Sequence, residues 1–474
     1  MTGKDMPPPL VVDVDGTLIG GDLLFEGIAR LLGESPLKLL LLPFWLLAGR
    51  ASLKRQIAQA APLPVSTLIP NSAVLKEIEV AKAGGQAVWL ASGADESAVR
   101  PLAEYVGASG VLASDGSVNL VGQAKADRLT DRFGEGGFDY IGNERRDLAV
   151  WRVSRRAVGV NLSTRLVRRL GALASDVRLL PGNGGRPIDY LRSLRPHQWI
   201  KNTLVFLPLA ASHSMEPELY LVVAGMFVAL SACTSATYVF NDLIDLPHDR
   251  KHETKRHRPI AAGIVSIQAM VGIGLACLTA GLSIAFWLST AAGVCVVVYL
   301  AANVAYSLWL KRKTFLDVIT LSFLYAARLL IGAMAISLSV SSWLIGFSTF
   351  LFLSLAIVKR QVELGSMSHP TDASVGGRAY FAADIGTITA LGGASAFASV
   401  VVLTLYLQSP EVMARYDRPD LLWLVCPLLI YWLGRLILLA NRGAVDDDPV
   451  VFALRDRASW VVAGAFLAVV AAAL

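Results

Sequence analysis

The pattern of apolar and polar positions changes near residue 190. Before it the apolar runs are short: LVVDVD (10–15), AVWLAS (87–92), GVLAS (110–114), FDYIGN (138–143) and AVGVN (157–161). Continuous apolar runs of this length fit buried parallel strands. Their alternation with helical stretches predicts a doubly wound α/β domain over residues 1–185. A proline-rich stretch, Pro7 to Pro9, precedes the first strand where a cleavable apolar segment would stand, so no signal peptide is expected. After residue 190 the apolar runs lengthen to near the ~20 residues that cross a bilayer. They lie near 200–213, 219–241, 262–286, 288–309, 315–338, 342–358, 385–408, 420–440 and 459–474. An all-α polytopic membrane domain of about nine helices is therefore expected over 190–474.

Composition agrees with this division. The chain has 474 residues, 54% hydrophobic and 17% charged, with mean hydropathy +0.54. That is too apolar for an ordinary soluble protein and implies a membrane protein with a soluble part. Loops 242–261, 310–314, 359–384 and 441–458 hold most of the Lys and Arg of the membrane half. The loops near 214–218, 287 and 339–341 hold none, and only 409–419, with Arg415 and Arg418, breaks the alternation. The positive-inside rule then puts the N-terminal domain and the cation-rich loops in the cytoplasm of a bacterial plasma membrane, with the C-terminus outside. The net charge of +6 is explained this way, among membrane lipids, with no nucleic-acid partner. Cys233, Cys277, Cys295 and Cys426 lie inside apolar runs without CxxC spacing and read as small core residues. A homo-oligomer is left open by the sequence.

The stretch VFNDLIDLPHDRKHETKRHRPIAAG (239–263) ends a long apolar run in carboxylates. On a helix Asp242, Asp245 and Asp249 stand at i, i+3 and i+7, on one face. Three uncompensated carboxylates at a membrane boundary would repel one another and resist desolvation. An oxygen-seeking divalent cation resolves this, and Mg²⁺ takes one or two carboxylates with water and phosphate oxygens. The plainer reading is a solvated helix end before a positive-inside loop, and Pro247 weakens the helix argument. Arg195, Lys201, Lys255, Arg256, Arg258, Lys311, Lys359 and Arg360 lie on the same expected side. They could serve reactant phosphates or lipid headgroups. Asp317 and Arg328 lie inside an apolar span, where ionisable groups are functional by default, or else form a structural pair.

The spacing N-D-x-x-D-x-x-x-D resembles the first aspartate motif of the UbiA prenyltransferase superfamily. Asn241, Asp242, Asp245 and Asp249 match it position by position. The resemblance implies an intramembrane enzyme of about nine helices, binding a Mg²⁺-diphosphate and acting on polyprenyl chains. The family's second acidic motif is replaced here by VKRQVELGSMSHPTD (358–372), with Lys359, Arg360 and Glu363 where acids are expected. More cations and fewer acids suit a further phosphate group. LRPHQWIKN (194–202), TKRHRPIAAG (254–263), YSLWLKRK (306–313), VKRQVEL (358–364) and ALRDR (453–457) resemble the decaprenyl-phosphate phosphoribosyltransferase branch. That branch implies phosphoribosyl pyrophosphate and a polyprenyl phosphate as reactants. Two other readings stand beside it. One is prenyl transfer to an aromatic acceptor. The other is a transporter or scaffold carrying a hydrolase, although no inverted repeat is evident.

In LVVDVDGTL (10–18), Asp13 and Asp15 fall at the carboxyl end of an expected strand, where open α/β sheets bind ligands. The D-x-D-G-T pattern resembles the haloacid dehalogenase phosphatase family. The resemblance implies Asp13 as nucleophile and Asp15 as acid/base, with Mg²⁺ between them. It makes Ser92 and Lys125 phosphate-binding and Asp147 a metal ligand. Asn143 stands where the family carries Asp, so the site loses a charge but keeps a carbonyl oxygen. A helical cap is implied over residues 22–80. Within it PLKLLLLPFWLLAGR (36–50) is too short to span a bilayer. It reads as a buried cap helix, or as a segment lying on the membrane with Trp45 at the interface.

Overall fold

Six parallel strands organise the N-terminal part of the protein, seen in a computed structural model that describes residues 7–174, 176–182, 184–365, 380–445 and 448–474. They are β1 (Leu10–Asp13), β2 (Val88–Asp95), β3 (Gly110–Ser114), β4 (Asp139–Gly142), β5 (Arg156–Val160) and β6 (Val177–Leu180), in the order β3-β2-β1-β4-β5-β6. The sheet is parallel throughout, with Val12 opposite Leu90 on one side and Ile141 on the other. Five strands are those the apolar runs predict. The sixth has a partly exposed edge position and carries Arg178, so it lacks the fully apolar signature. Alternation along β1 feeds two cores. Leu10 and Val12 pack with Val74, Ile78, Val99 and Leu102. Val11 packs with Leu129, Trp151 and Leu170.

Between β1 and β2 the chain inserts the cap: α1 (Leu23–Glu34), α2 (Leu42–Leu47) and α3 (Arg50–Ala60). Helix α4 (Ser72–Ala83) then returns to the sheet. α5 (Glu96–Tyr105), α6 (Gln123–Phe133), α7 (Leu148–Val153) and α8 (Thr164–Leu173) complete its two faces, followed by α9 (Pro187–Ser193). The apolar cap segment is neither buried nor a single helix. A 3-10 run, Pro36–Leu41, leads into α2. Leu39, Leu42 and Trp45 pack on Leu31 and Ile57. Leu37, Leu40, Phe44 and Leu47 are 76%, 71%, 68% and 85% exposed. Phe44, not Trp45, takes the outward aromatic position.

The chain divides into two compact units: Met1–Arg195 with Tyr238–Ala276, and Pro196–Thr237 with Cys277–Leu474. The second unit opens with a 3-10 run, Pro196–Phe206, and α10 (Leu207–Ser212). The apolar run at 200–213 is therefore not one long helix, because Pro208 begins a new short helix there. Gly332 lets this segment press close, since a Cβ there would sit 2.0 Å from the Val205 carbonyl oxygen. The membrane helices are α11 (Pro217–Ile244), α13 (Ile267–Leu288), α14 (Thr290–Leu308), α15 (Leu316–Ala335), α16 (Ser342–Gly365), α17 (Ile385–Leu407) and α19 (Val425–Asn441). Short α12 (Leu246–Asp249) and α18 (Pro410–Met413) lie between. α20 (Pro449–Arg455) and α21 (Arg457–Ala473) meet at 82°. Among the described residues seven helices are long and apolar enough to cross a membrane, eight if that bent pair is one span. The count differs from nine chiefly through the 200–213 segment. The protein is a multi-pass membrane protein.

The last turns of α11, from Tyr238, and the first turns of α13 belong to the first unit. Cap residues Phe25, Ala29 and Leu32 pack there with Val239, Leu243, Leu246 and Met270. Gly33 permits the approach, since a Cβ would meet the Ile244 carbonyl oxygen at 2.6 Å. A buried ion pair fixes it. Arg250 donates to both Glu26 carboxylate oxygens, at 2.9 and 2.7 Å, and to the carbonyls of Thr67 and Ala261. Both side chains are under 10% exposed. Removing one partner of such a pair strands the other charge. Glu26→Ala is therefore expected to destabilise the first unit by about 3–5 kcal/mol. The measurement is thermal unfolding of the detergent-solubilised protein; an unchanged transition would show that the pair holds nothing.

Candidate active sites

Asp13 ends the central strand β1, and the turn after it carries Asp15. Lys125 on α6 donates to Asp13 Oδ1 at 2.6 Å, and Thr17 Oγ1 donates to its other oxygen at 3.0 Å. Asp15 accepts from the Leu23 amide at 2.8 Å and from Ser92 Oγ at 3.2 Å. Ser92 Oγ in turn accepts from the Ala94 amide at 2.9 Å. All four sequence-selected groups thus meet at one end of the sheet. Asp13, Asp15 and Lys125 line a cavity of about 490 Å³, and Ser92 stands behind Asp15. Burial pushes the Asp13 carboxyl up to about 7, against the pull of Lys125. Burial, aided by the Asp22 charge, raises Asp15 to about 6. Burial disfavours the Lys125 ammonium, but Asp13 and Asp147 outweigh it and hold its pKa above the ordinary lysine value.

The β4–α7 loop completes this site. Asp147 accepts from the Tyr140 hydroxyl at 2.8 Å and from the amides of Asn143 and Glu144, both at 2.9 Å. It therefore shapes the loop that presents Asn143. Asn143 Oδ1 is buried with no hydrogen-bond partner. Gly16, at φ +71°, passes so close that a Cβ would lie 2.1 Å from the Asn143 amide nitrogen. An orphaned carbonyl oxygen beside two carboxylates is an oxygen donor set that fits Mg²⁺. Among the described residues no three His, Cys, Asp or Glu side chains converge as a metal cage. A metal ion held here would find its third oxygen on Asn143.

The second cluster lies at the end of α11, also in the first unit. The helix breaks at Asp245, and Pro247 falls in the first turn of α12, where its missing N–H costs nothing. The turn nevertheless continues, with the Asp249 amide on the Asp245 carbonyl at 2.8 Å. Asp242 and Asp249 consequently face the same group: Arg258 Nη1 lies 3.3 Å from Asp242 Oδ1 and 2.5 Å from Asp249 Oδ2. Arg195, at φ +52°, also pairs with Asp242 and lies over the Tyr238 ring. Both carboxylates are buried. Two acids within reach of one cationic nitrogen suit a divalent ion sharing them, with Arg195 and Arg258 left for phosphate oxygens. Asn241 and Asp245 are half-buried beside them, whereas Lys255 and Arg256 are exposed on the following 3-10 turn.

The remaining selected residues form networks within the second unit. Lys201 pairs with Asp448, and Lys359 Nζ lies 3.8 Å from the same carboxylate. Arg360, fully buried, donates to Asp317 at 2.6 Å, pairs with Glu363, and reaches the Tyr306 hydroxyl at 3.2 Å. Asp317 also accepts from the Tyr380 hydroxyl at 2.5 Å. The alternative reading, a structural Asp317–Arg328 pair, is not what forms. Arg328 instead donates to Asn202 Oδ1 at 3.1 Å and to the Tyr299 hydroxyl at 2.9 Å. Lys311 is half-buried on the Leu310–Arg312 turn. The 366–372 part of VKRQVELGSMSHPTD lies outside the described residues.

A model of the "UbiA prenyltransferase family" matches residues 202–456, more than half of the chain. The chain belongs to the UbiA prenyltransferase family. This UbiA protein is 36% identical to "Uncharacterized protein y4nM" of Sinorhizobium fredii, over 98% of this chain and 90% of that one. It is 30% identical to the "Decaprenyl-phosphate phosphoribosyltransferase" of Mycolicibacterium smegmatis, over 60% of this chain and 92% of that one. A phosphoserine phosphatase structure with a phospho-aspartyl intermediate analogue aligns over 37% of this chain and 94% of its own, at 16% identity and TM-score 0.27. The protein is thus an enzyme of the UbiA transferase family whose N-terminal part is a parallel-sheet α/β fold. Family membership sets aside the reading as a transporter or scaffold.

Several site residues were not singled out from the sequence. Asn202, Tyr299, Tyr306, Tyr380 and Asp448 are brought in by contacts far apart in the chain. Only Asp448 carried a signal, as an acid in a cation-rich loop. Lys54 of the cap and Arg146 also line the cavity beside Asp13 and Asp15. The orphaned oxygen generates one prediction. Asn143→Asp restores a full charge to the donor set, so half-saturation with Mg²⁺ should move to roughly tenfold lower concentration, each tenfold being about 1.4 kcal/mol. Calorimetric Mg²⁺ titration in an Asp242→Ala background isolates this site. Unchanged affinity would remove Asn143 from the metal's surroundings.

Proposed function

We propose that this enzyme transfers a 5-phosphoribosyl group from phosphoribosyl pyrophosphate to a polyprenyl phosphate, releasing pyrophosphate. The domain at 1–185 then removes the 5-phosphate of the lipid product. The observation that carries the first step is the pairing of charges in the second unit. Lys201 and Lys359 both reach the carboxylate of Asp448, so cations gather where prenyltransferases use a second acidic motif. A sugar donor that brings its own phosphate matches those cations. Likeness to decaprenyl-phosphate phosphoribosyltransferases along the membrane half supports the same reading.

In the transfer the C1–O bond of the ribose breaks and the pyrophosphate departs with the electron pair. A lipid phosphate oxygen then bonds to C1. Asp242, Asp245 and Asp249 would hold a Mg²⁺ ion at the diphosphate end, with Arg195 and Arg258 on the diphosphate oxygens. Neither reactant needs much acid–base help, so positioning and charge stabilisation dominate. In the second step Asp13 attacks phosphorus while Lys125 and Ser92 hold the phosphoryl oxygens. Asp15 protonates the departing ribose oxygen and later takes a proton from the attacking water. Mg²⁺ bound in either place supplies neutralisation of phosphate charge.

The exposed edge of the cap, Leu37, Leu40, Phe44 and Leu47, belongs to the same unit as the ends of α11 and α13. We place this edge on the cytoplasmic lipid surface, where it would keep the phosphatase beside a lipid-bound substrate.

The test offers labelled phosphoribosyl pyrophosphate and decaprenyl phosphate to purified protein with Mg²⁺. Wild type should label the lipid. Asp249→Ala should lower the rate by at least 10²-fold, because it removes metal-diphosphate binding. Near-wild-type turnover by that variant would refute the role of the cluster. Transfer only from a prenyl diphosphate to an aromatic acid would refute the choice of donor.

A further inference from the structure

The phosphatase cavity is not lined by the N-terminal domain alone. Ser266 and Gln268 lie at the start of α13, inside the stretch that the UbiA family model matches. Both line the same cavity as Asp13, Asp15 and Lys125. Their position is anchored within the first unit. Gln268 Nε2 donates to Asp22 Oδ2 at 3.1 Å. Asp22 caps the N-terminus of α1 through its other oxygen, directly before the Leu23 amide that holds Asp15. Four residues further on, Glu26 carries the buried pair with Arg250. The segment from the membrane half is therefore tied to α1 at two places.

The chemistry of these two side chains differs from that of the charged part of the wall. Asp13, Lys125, Lys54 and Arg146 are charged, and suit a phosphoryl group and its surroundings. Gln268 and Ser266 are neutral. Gln268 spends one N–H on Asp22 and retains a carbonyl oxygen and a second N–H. Ser266 Oγ accepts from the Ala269 amide at 3.2 Å, and its own proton is available to donate. A neutral amide and a hydroxyl can each exchange hydrogen bonds with sugar hydroxyls, and the Gln268 carbonyl oxygen can accept from a hydroxyl but not from a phosphate dianion.

We propose that Ser266 and Gln268 bind the sugar hydroxyls of the phosphatase substrate, so that the transferase half of the chain supplies the phosphatase's selectivity for a ribosyl phosphate. This rests on the reading of the N-terminal domain as a phosphatase. It also gives a physical reason for the fusion: the phosphatase site lacks this wall without the second half of the chain.

The test uses the full chain in detergent and compares ribose 5-phosphate with p-nitrophenyl phosphate, which has no sugar hydroxyls. In Gln268→Ala and in Ser266→Ala, the ratio of kcat/KM for ribose 5-phosphate to that for p-nitrophenyl phosphate should fall about 5- to 10-fold, the weight of one hydrogen bond. Most of the loss should lie in KM. Ser266→Thr keeps both the hydroxyl and the helix cap and should restore the ratio. A ratio unchanged in both alanine variants, with wild type hydrolysing both substrates, would overturn this proposal alone. Equal losses on both substrates would also overturn it, showing a merely structural role. Hydrolysis of neither substrate by wild type would overturn it together with the phosphatase reading.

Discussion

A carboxylate taken out of water must be met by a cation or by several donors, and this constraint shapes every site in the protein. Asp13 is held by Lys125, Asp242 and Asp249 by Arg258, Asp317 by Arg360, and Glu26 by Arg250. Breaking any one of these pairs strands a charge in low dielectric, at a cost of several kcal/mol. The pairs differ in what they can admit. Glu26–Arg250 is closed on all sides by backbone carbonyls and is structural. Asp13 and Asp15 border a cavity, so an incoming phosphate with a divalent cation can replace internal pairing without leaving a charge unmatched. The same logic applies to Asp242 and Asp249, whose shared guanidinium would serve a phosphate once a metal ion took its place between them.

The structural division of the chain does not follow its division by function. Residues of the aspartate cluster fold into one compact unit with the phosphatase-like sheet and its cap. Close packing makes this possible: Gly33 lets α1 reach the carbonyl of Ile244, and Arg250 locks the approach. Disturbing the cap therefore disturbs the loop that carries Asp249, one residue before Arg250. Such coupling suits an enzyme whose second step acts on the lipid product of its first.

Much of this was legible in the sequence wherever one local stretch carries the signal. The apolar runs of β1, β2, β4 and β5 are legible because these interior strands are largely buried, and β3, an edge strand of mostly half-buried positions, still keeps the apolar run GVLAS. β6 is not, because an edge strand with Arg178 has no continuous apolar face. D-x-D-G-T and N-D-x-x-D-x-x-x-D are local, and their residues converge as expected. Pairing over long separations was not legible. Asp317 and Arg328 share a helix, yet Arg360 and Tyr380 claim the first, and Asn202 and Tyr299 the second. Span counting failed at 200–213 because hydropathy does not register the break that Pro208 imposes. The cap segment was ambiguous by composition, and exposure of Leu37 and Leu47 excludes the buried helix.

The central claim is that one chain performs two successive steps on one lipid, and product mass tests it most directly. Asn at position 13 cannot form an aspartyl-phosphate, while the aspartate cluster at 242–249 is untouched. Purified wild type, given phosphoribosyl pyrophosphate and decaprenyl phosphate, should yield the ribosyl lipid without its 5-phosphate by mass spectrometry. Asp13→Asn should yield the same lipid one phosphate heavier, at a similar total amount. Identical products from the two proteins would contradict the account.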